Sequence, residues 1–245
     1  MASTVSTPAD FEAATFAKVT HRLMAYLFLC YVLAYLGRLN VSFAKLQMQQ
    51  DLHMSDSVYG LGAGIFFIGY LFLQVPANLV MQRVGARNWI GPTLAVCGVV
   101  SCLPMLVRSP AEFYAVRFLR GVVESGFFPG VILYLTYWYP SRYRARMVGI
   151  FMSGAAICGI VAGPFSGWIL SSMQGVSHLA GWQWMFLLEG LPAVFVGLAG
   201  LYVLTDGPAQ ATWLSGPEKA LVIQRLREDE EIQRRAGGTQ RRLVG

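Results

Sequence analysis

The chain has 245 residues, 55% of them hydrophobic and only 13% charged, with a mean hydropathy of +0.50. That balance excludes an ordinary soluble domain and points to an integral membrane protein. The net charge of +6 would suit nucleic acid if the cations formed one soluble patch. They lie instead between apolar runs and in the C-terminal tail, so nucleic acid is not an expected partner.

Residues 1–21 are polar, include Asp10, Glu12 and Lys18, and lack the charged-then-apolar pattern of a cleaved secretory signal. They read as a cytoplasmic tail, at most a short amphipathic helix. Six apolar runs of spanning length follow near 23–46, 58–81, 89–107, 113–137, 147–170 and 182–204. The expected fold is therefore an all-α integral membrane bundle of six transmembrane helices over residues 22–205. Cys30, Cys97, Cys102 and Cys158 all fall inside these runs without metal-ligand spacing and read as small core residues.

The loops orient the bundle. Arg83 and Arg87 lie between the second and third runs and Arg142, Arg144 and Arg146 between the fourth and fifth, whereas 48–57 and 171–181 hold no Lys or Arg. Both termini are thus expected in the cytoplasm. The turn Arg83-Val84-Gly85-Ala86-Arg87 is read either as a charged anchor or as a gating element. In the fifth run Gly154, Gly159, Gly163, Pro164 and Gly167 form a small-residue set suited to close helix approach. The second run is likewise rich in glycine and carries Pro76, and the first and fourth both carry charge, which suggests a three-plus-three inverted repeat. Residues 206–245 form a polar tail in which Ser215 and Glu218 are placed to cap a charged cytoplasmic helix.

Charge inside a spanning run is costly and calls for a reason. At 100° per residue, Arg117 and Glu124 lie about 20° apart on the fourth helix and Arg120 about 60° away, so the three share one face. Arg38 in the first run and Glu189 in the sixth fall at the same depth by the 1.5 Å rise per residue, and all five are expected to meet around one cavity. An excess of guanidinium suits a carboxylate, which it binds bidentately without ever losing its charge. On this reading Arg38 and Arg117 hold an organic anion and Glu124 binds and releases a proton, with Arg120 and Glu189 as accessory charges. The competing reading is a set of buried ion pairs that join helices. His21, His53 and His178 lie outside the runs, and neither a metal-protease motif nor a nucleotide-binding glycine loop occurs. No enzyme activity, metal or cofactor is expected beyond a coupling proton.

The segments YLGRLNVSFA (35–44), YGLGAGIFFIGYLFLQVPANLVMQRVGARNWI (59–90), RFLRGVVESGFFPGVILYLTYWYP (117–140), GIVAGPFSGW (159–168) and GWQWMFLLEGLPAV (181–194) resemble the anion:cation symporter family of the major facilitator superfamily, in particular bacterial tartrate- and phthalate-type carboxylate permeases. The resemblance implies proton-coupled import by alternating access across a bacterial inner membrane. It also implies a substrate site built from Arg38, Arg117 and Glu124, with Tyr70 as a pocket position and Asn40 completing an Arg-x-Asn pattern. Many relatives carry an Asp just before the first-helix arginine, where this chain has Gly37, which bears on coupling. The family has twelve helices in two halves, so the chain resembles an N-terminal half that needs a second six-helix half or a second copy. The alternative is a non-transporting assembly partner or an inactive truncated half.

Overall fold

In a computed structural model the backbone is described for residues 7–243; residues 1–6 and 244–245, the outer ends of the two tails, lie outside it. The helices are α1 (Pro8–Asp51), α2 (Asp56–Val84), α3 (Ala86–Cys102), α4 (Pro110–Glu124), α5 (Phe127–Thr136), α6 (Ser141–Ser172), α7 (Gly181–Val203) and α8 (Gly216–Leu243), and no strand occurs among the described residues. α4 and α5 together form one span, which gives six segments long and apolar enough to cross a membrane by length and composition.

Local chemistry sets the helix ends. Thr7 Oγ1 accepts from the Asp10 N–H while the Asp10 carboxylate accepts from the Thr7 N–H, and Pro8 opens the first turn. α1 therefore starts at Pro8 rather than near 23. Residues 8–21, expected as a tail, continue the first helix because Phe16, Val19, Leu23, Leu27, Cys30 and Ala34 fall on one buried stripe. α2 turns into α3 at Gly85, whose φ of +90° favours glycine. The fourth span breaks just after Glu124. Pro129 has no N–H to give the Ser125 carbonyl, so the helix restarts at Phe127, and Trp89 Nε1 donates to the Gly126 carbonyl in the gap. The sequence reading treated 113–137 as one unbroken run.

α2 packs on α4, α1 on α6, and α3 on α7. Exchanging the first three spans for the last three converts the α2–α4 contact into α6–α1 and leaves α3–α7 unchanged, as an inverted repeat requires. The α3–α7 contact is close: a Cβ on Gly91 would sit 2.7 Å from the Gly197 carbonyl oxygen. Small residues of α6 divide by face. Gly154, Cys158, Ala162 and Ser166 are turned inward, whereas a Cβ on Gly159 would meet nothing and one on Gly163 only Phe43 at 3.9 Å. One residue along a helix is a 100° rotation, so Gly159 points away from the bundle and Gly163 lies at its edge beside Phe43. The close packing expected of them is not made among the described residues.

Two apolar cores result. One, near the chain termini, holds Leu23, Leu27, Ala34, Leu94, Phe127, Trp138 and Ala193; the other holds Val41, Met48, Val107, Phe113, Trp182 and Phe186. Arg38, Arg117, Arg120, Glu124 and Glu189 lie between them in sequence. α8 docks on the terminal end through Leu214, just before it, and Val222. Lys18 Nζ lies 2.9 Å from Glu218, Arg225 Nη2 lies 2.7 Å from Glu12, Arg142 also pairs with Glu12, and Asp229 accepts from the Ser141 N–H at 3.1 Å. Ser215 and Glu218 cap α8 reciprocally, as their spacing predicted.

Candidate functional site

The layer between the two cores is organised by Glu124 at the C-terminal end of α4. One carboxylate oxygen accepts from Arg38 Nε of α1 at 2.9 Å and also from Arg38 Nη2; the other accepts from Arg120 Nε at 2.9 Å. Arg120 spends its remaining nitrogens on backbone: Nη1 donates to the Cys97 carbonyl at 2.5 Å and Nη2 to that of Ala34 at 3.1 Å. It thus ties α1, α3 and α4 together with every nitrogen engaged. Gly37 permits this, since a Cβ there would lie 2.8 Å from Arg120 Nη2.

Arg38 differs from Arg120 in being reachable. Its side chain is 29% exposed, against 4% for Glu124 and Arg120, and it faces a cavity of about 190 Å³ with Tyr31, Tyr35, Tyr70, Glu124 and Phe128. The guanidinium lies 5.7 Å from the Tyr35 ring, 5.2 Å from Tyr70 and 5.3 Å from Phe66. Such contacts favour a cation. A wider groove of about 760 Å³ between α1 and α6 is walled mainly by apolar side chains, among them Phe16, Met24 and Phe28, and holds no carboxylate.

The other expected site residues separate. Arg117 is buried, with its guanidinium 5.0 Å from the Phe66 ring, and makes no ion pair among the described residues. It lines a second, much smaller void with Asn40, not the Arg38 cavity. Glu189 of α7 sits at the common depth but turns toward α6, where Ser166 Oγ donates to it at 2.6 Å; its second oxygen is buried without a partner. The five charges therefore share a layer without sharing a cavity, because α7 packs against α3 and α6 as well as α1.

The Arg83–Arg87 turn is bound to the far end of the chain. Asp206, just beyond α7, accepts from the Arg87 N–H at 2.9 Å, and Arg87 Nε donates to the Leu201 carbonyl at 2.6 Å. Arg83 stands in the last turn of α2, where a cation complements the helix C-terminus. Sequence reasoning missed Asp206 as a distant cap for α3, since nothing local links it to Arg87. It also passed over Phe66, the ring against which both Arg38 and Arg117 lie.

Comparison with known proteins places the chain in a family. The profile described as Major Facilitator Superfamily matches residues 27–236. The "Putative metabolite transport protein NicT" of Pseudomonas putida is 46% identical over 94% of this chain and 53% of its own length, and a "Putative tartrate transporter" of Agrobacterium vitis is 44% identical over 93% and 52%. The chain spans about half the length of the curated relatives it matches. Among solved structures, a bacterial homolog to the human lysosomal transporter Spinster, inward-facing and occupied, superposes with a TM-score of 0.69 at 21% identity, over 76% of this chain and 44% of that one. Family profile, relatives and fold agree: this six-span chain, a membrane protein of transporter rather than enzyme lineage, belongs to the Major Facilitator Superfamily.

Proposed function

We propose that the chain is the N-terminal half of a proton-coupled importer of organic carboxylates, with both termini in the cytoplasm of a bacterial cell. The observation that carries this reading is the partly exposed Arg38 side chain, ringed by aromatics and bound to the single carboxylate of Glu124 inside an apolar bundle. A substrate carboxylate and Glu124 compete for the same guanidinium edge. Protonating Glu124 removes its claim on Arg38 and admits the anion; losing the anion restores the pair and expels the proton. Tyr70 frames the site, and Arg117, across the Phe66 ring with Asn40 nearby, adds positive potential from behind. The relative named for tartrate fits an arginine-based site and makes tartrate the first substrate to try.

The cavity of about 190 Å³ is smaller than the roughly 300 Å³ at which small-molecule pockets begin. A second six-helix half, or a second copy of the chain, closes it in this proposal. The outward Gly159, Gly163 and Pro164 on α6, left without a helix to pack on, offer it a close-approach surface. Titration calorimetry of tartrate against the purified chain tests the site: binding is expected with the unaltered chain and lost in Arg38→Ala, with proton uptake accompanying binding. Tartrate binding unchanged in Arg38→Ala overturns the site, and association with a second half that survives the loss of all binding favours an assembly partner instead.

A further inference from the structure

Glu189 is the second buried carboxyl of the charged layer, and it takes no part in the exchange at Arg38. It is 1% exposed; Ser166, whose Oγ stands 2.6 Å from one of its oxygens, is 0% exposed, and the other oxygen is buried without a partner. α7 packs against α6, α3, α1 and the turn Leu103–Leu106, and no cation pairs with this carboxyl among the described residues. From α6 come Ser166 and the Cys158 thiol, which feels the Glu189 charge. From α3 come the Cys102 thiol, directed at the Leu187 carbonyl at 3.9 Å, and Arg87, bound to the Leu201 carbonyl near the far end of α7. Tyr26, Gln47 and Asp51 of α1 reach α7 at Val196 and Trp182, seven residues to either side of Glu189 and so about 10 Å away along the axis. The turn carries no titratable side chain. Arg38 and Arg120 are held by Glu124, and Arg117 lies against the Phe66 ring.

An ionised carboxylate offers about four lone-pair sites to donors, and a buried charge without a partner is so costly that the group neutralises instead. One hydroxyl does not meet that demand. The neutral acid matches the surroundings better. Its O–H donates to the Ser166 oxygen across the same 2.6 Å, and its second oxygen becomes a carbonyl, which is less costly to leave unmatched than a charged oxygen. Glu124 is the opposite case, since guanidinium nitrogens occupy both of its oxygens.

We propose that Glu189 and Ser166 form a second proton-binding site, in which Glu189 is held as a neutral carboxylic acid that donates to Ser166 Oγ. Its proton stays between α6 and α7 whether or not Glu124 carries one. The pair joins the two helices without placing a charge in the bundle, and it is separate from the competition between substrate and Glu124 for Arg38.

Infrared spectroscopy of the purified chain in detergent, without substrate, reads the proton directly. At about pH 8 exposed glutamates and aspartates are ionised, so a carbonyl band of a protonated carboxyl is expected from Glu189 against a clear background. The band is expected to move to lower frequency when the glutamates carry heavy carbon and to be absent in Glu189→Gln. In Ser166→Ala it is expected at higher frequency, as for a carboxyl that has lost a hydrogen bond. Adding tartrate leaves it in place. No isotope-sensitive band in the unaltered chain overturns the proposal, and that reading needs no variant to fold. A band that persists in Glu189→Gln, or that is unmoved in Ser166→Ala, also overturns it. A band seen only after tartrate is added belongs to Glu124 and overturns it as well, whereas a band that ignores tartrate stands even if the site at Arg38 fails its own test.

Discussion

At the scale of single residues, Glu124 holds the charged layer together. Replacing it by Gln keeps the shape and leaves two guanidiniums in the bundle without a carboxylate, which for a buried pair costs about 3–5 kcal/mol. Thermal unfolding in detergent is expected to register that loss, and an unchanged midpoint would mean that the arginines find other partners. Glu189 makes a contrast. The Ser166 hydroxyl donates to it, and no cation pairs with it among the described residues. Glu189→Gln can still accept from Ser166 and is expected to stay within about 1 kcal/mol of the parent, while Glu189→Ala orphans a buried hydroxyl and loses about 1–3 kcal/mol. Unfolding midpoints of the two variants check this, and equal losses would show that the charge matters. The arginines divide in the same manner: Arg120 has its donors filled by Glu124 and two carbonyls, whereas Arg38 keeps an exposed edge.

At the scale of helices, glycine marks which faces touch. A Cβ on Gly69 would lie 2.7 Å from the Phe118 carbonyl oxygen and 3.0 Å from the Val122 nitrogen. Those are backbone atoms that cannot rotate aside, so Gly69→Ala is expected to part α2 from α4 at a cost of about 1–3 kcal/mol. Gly159→Ala meets nothing and is expected to leave stability of the chain alone unchanged, since alanine is also the better helix former. Chemical or thermal unfolding of the pair in detergent decides, and an equal effect would contradict the helix faces described. Asp206 acts across elements in another way, accepting from the Arg87 N–H at the open start of α3. Asp206→Ala is expected to cost about 0.5–2 kcal/mol, as loss of a local cap does, and to raise hydrogen exchange at residues 85–88.

For the whole molecule, α8 fastens the terminal end of the bundle with charge. A hydrogen bond from Lys18 holds the Glu218 carboxyl below the ordinary glutamate range. A carboxyl depressed by folding stabilises the folded state above its unfolded pKa and loses that contribution as pH falls through the folded value. Docking of α8 is therefore expected to loosen below about pH 4, where glutamates protonate, and to weaken in high salt because Lys18 is largely exposed. Hydrogen exchange over 216–229, corrected for intrinsic rate, is expected to rise at low pH while α3 and α7 stay protected. Uniform loss across the chain would mean that α8 is not a separable unit. The belt of exposed apolar side chains, including Leu71, Phe72, Ile160, Phe195 and Tyr202, is what a surface that meets acyl chains or another helical half requires.

The number of spans and the place of Arg38, Arg117, Arg120, Glu124 and Glu189 within them were legible in the sequence. Position along a span follows from a fixed rise per residue counted along each apolar run, and it needs no knowledge of the neighbours. The sequence reading missed the break after Glu124 and the early start of α1, although Pro129, which deprives Ser125 of a partner, and the stripe from Phe16 to Ala34 carried the signal. Only the tertiary structure decided which charges meet. Azimuth within one helix is set by the 100° step, but the direction a face points is set by whichever helix packs against it. That is why Arg38 and Arg120 share Glu124, why Glu189 turns to Ser166 on α6, and why Arg117 is left beside a void opened by Gly37.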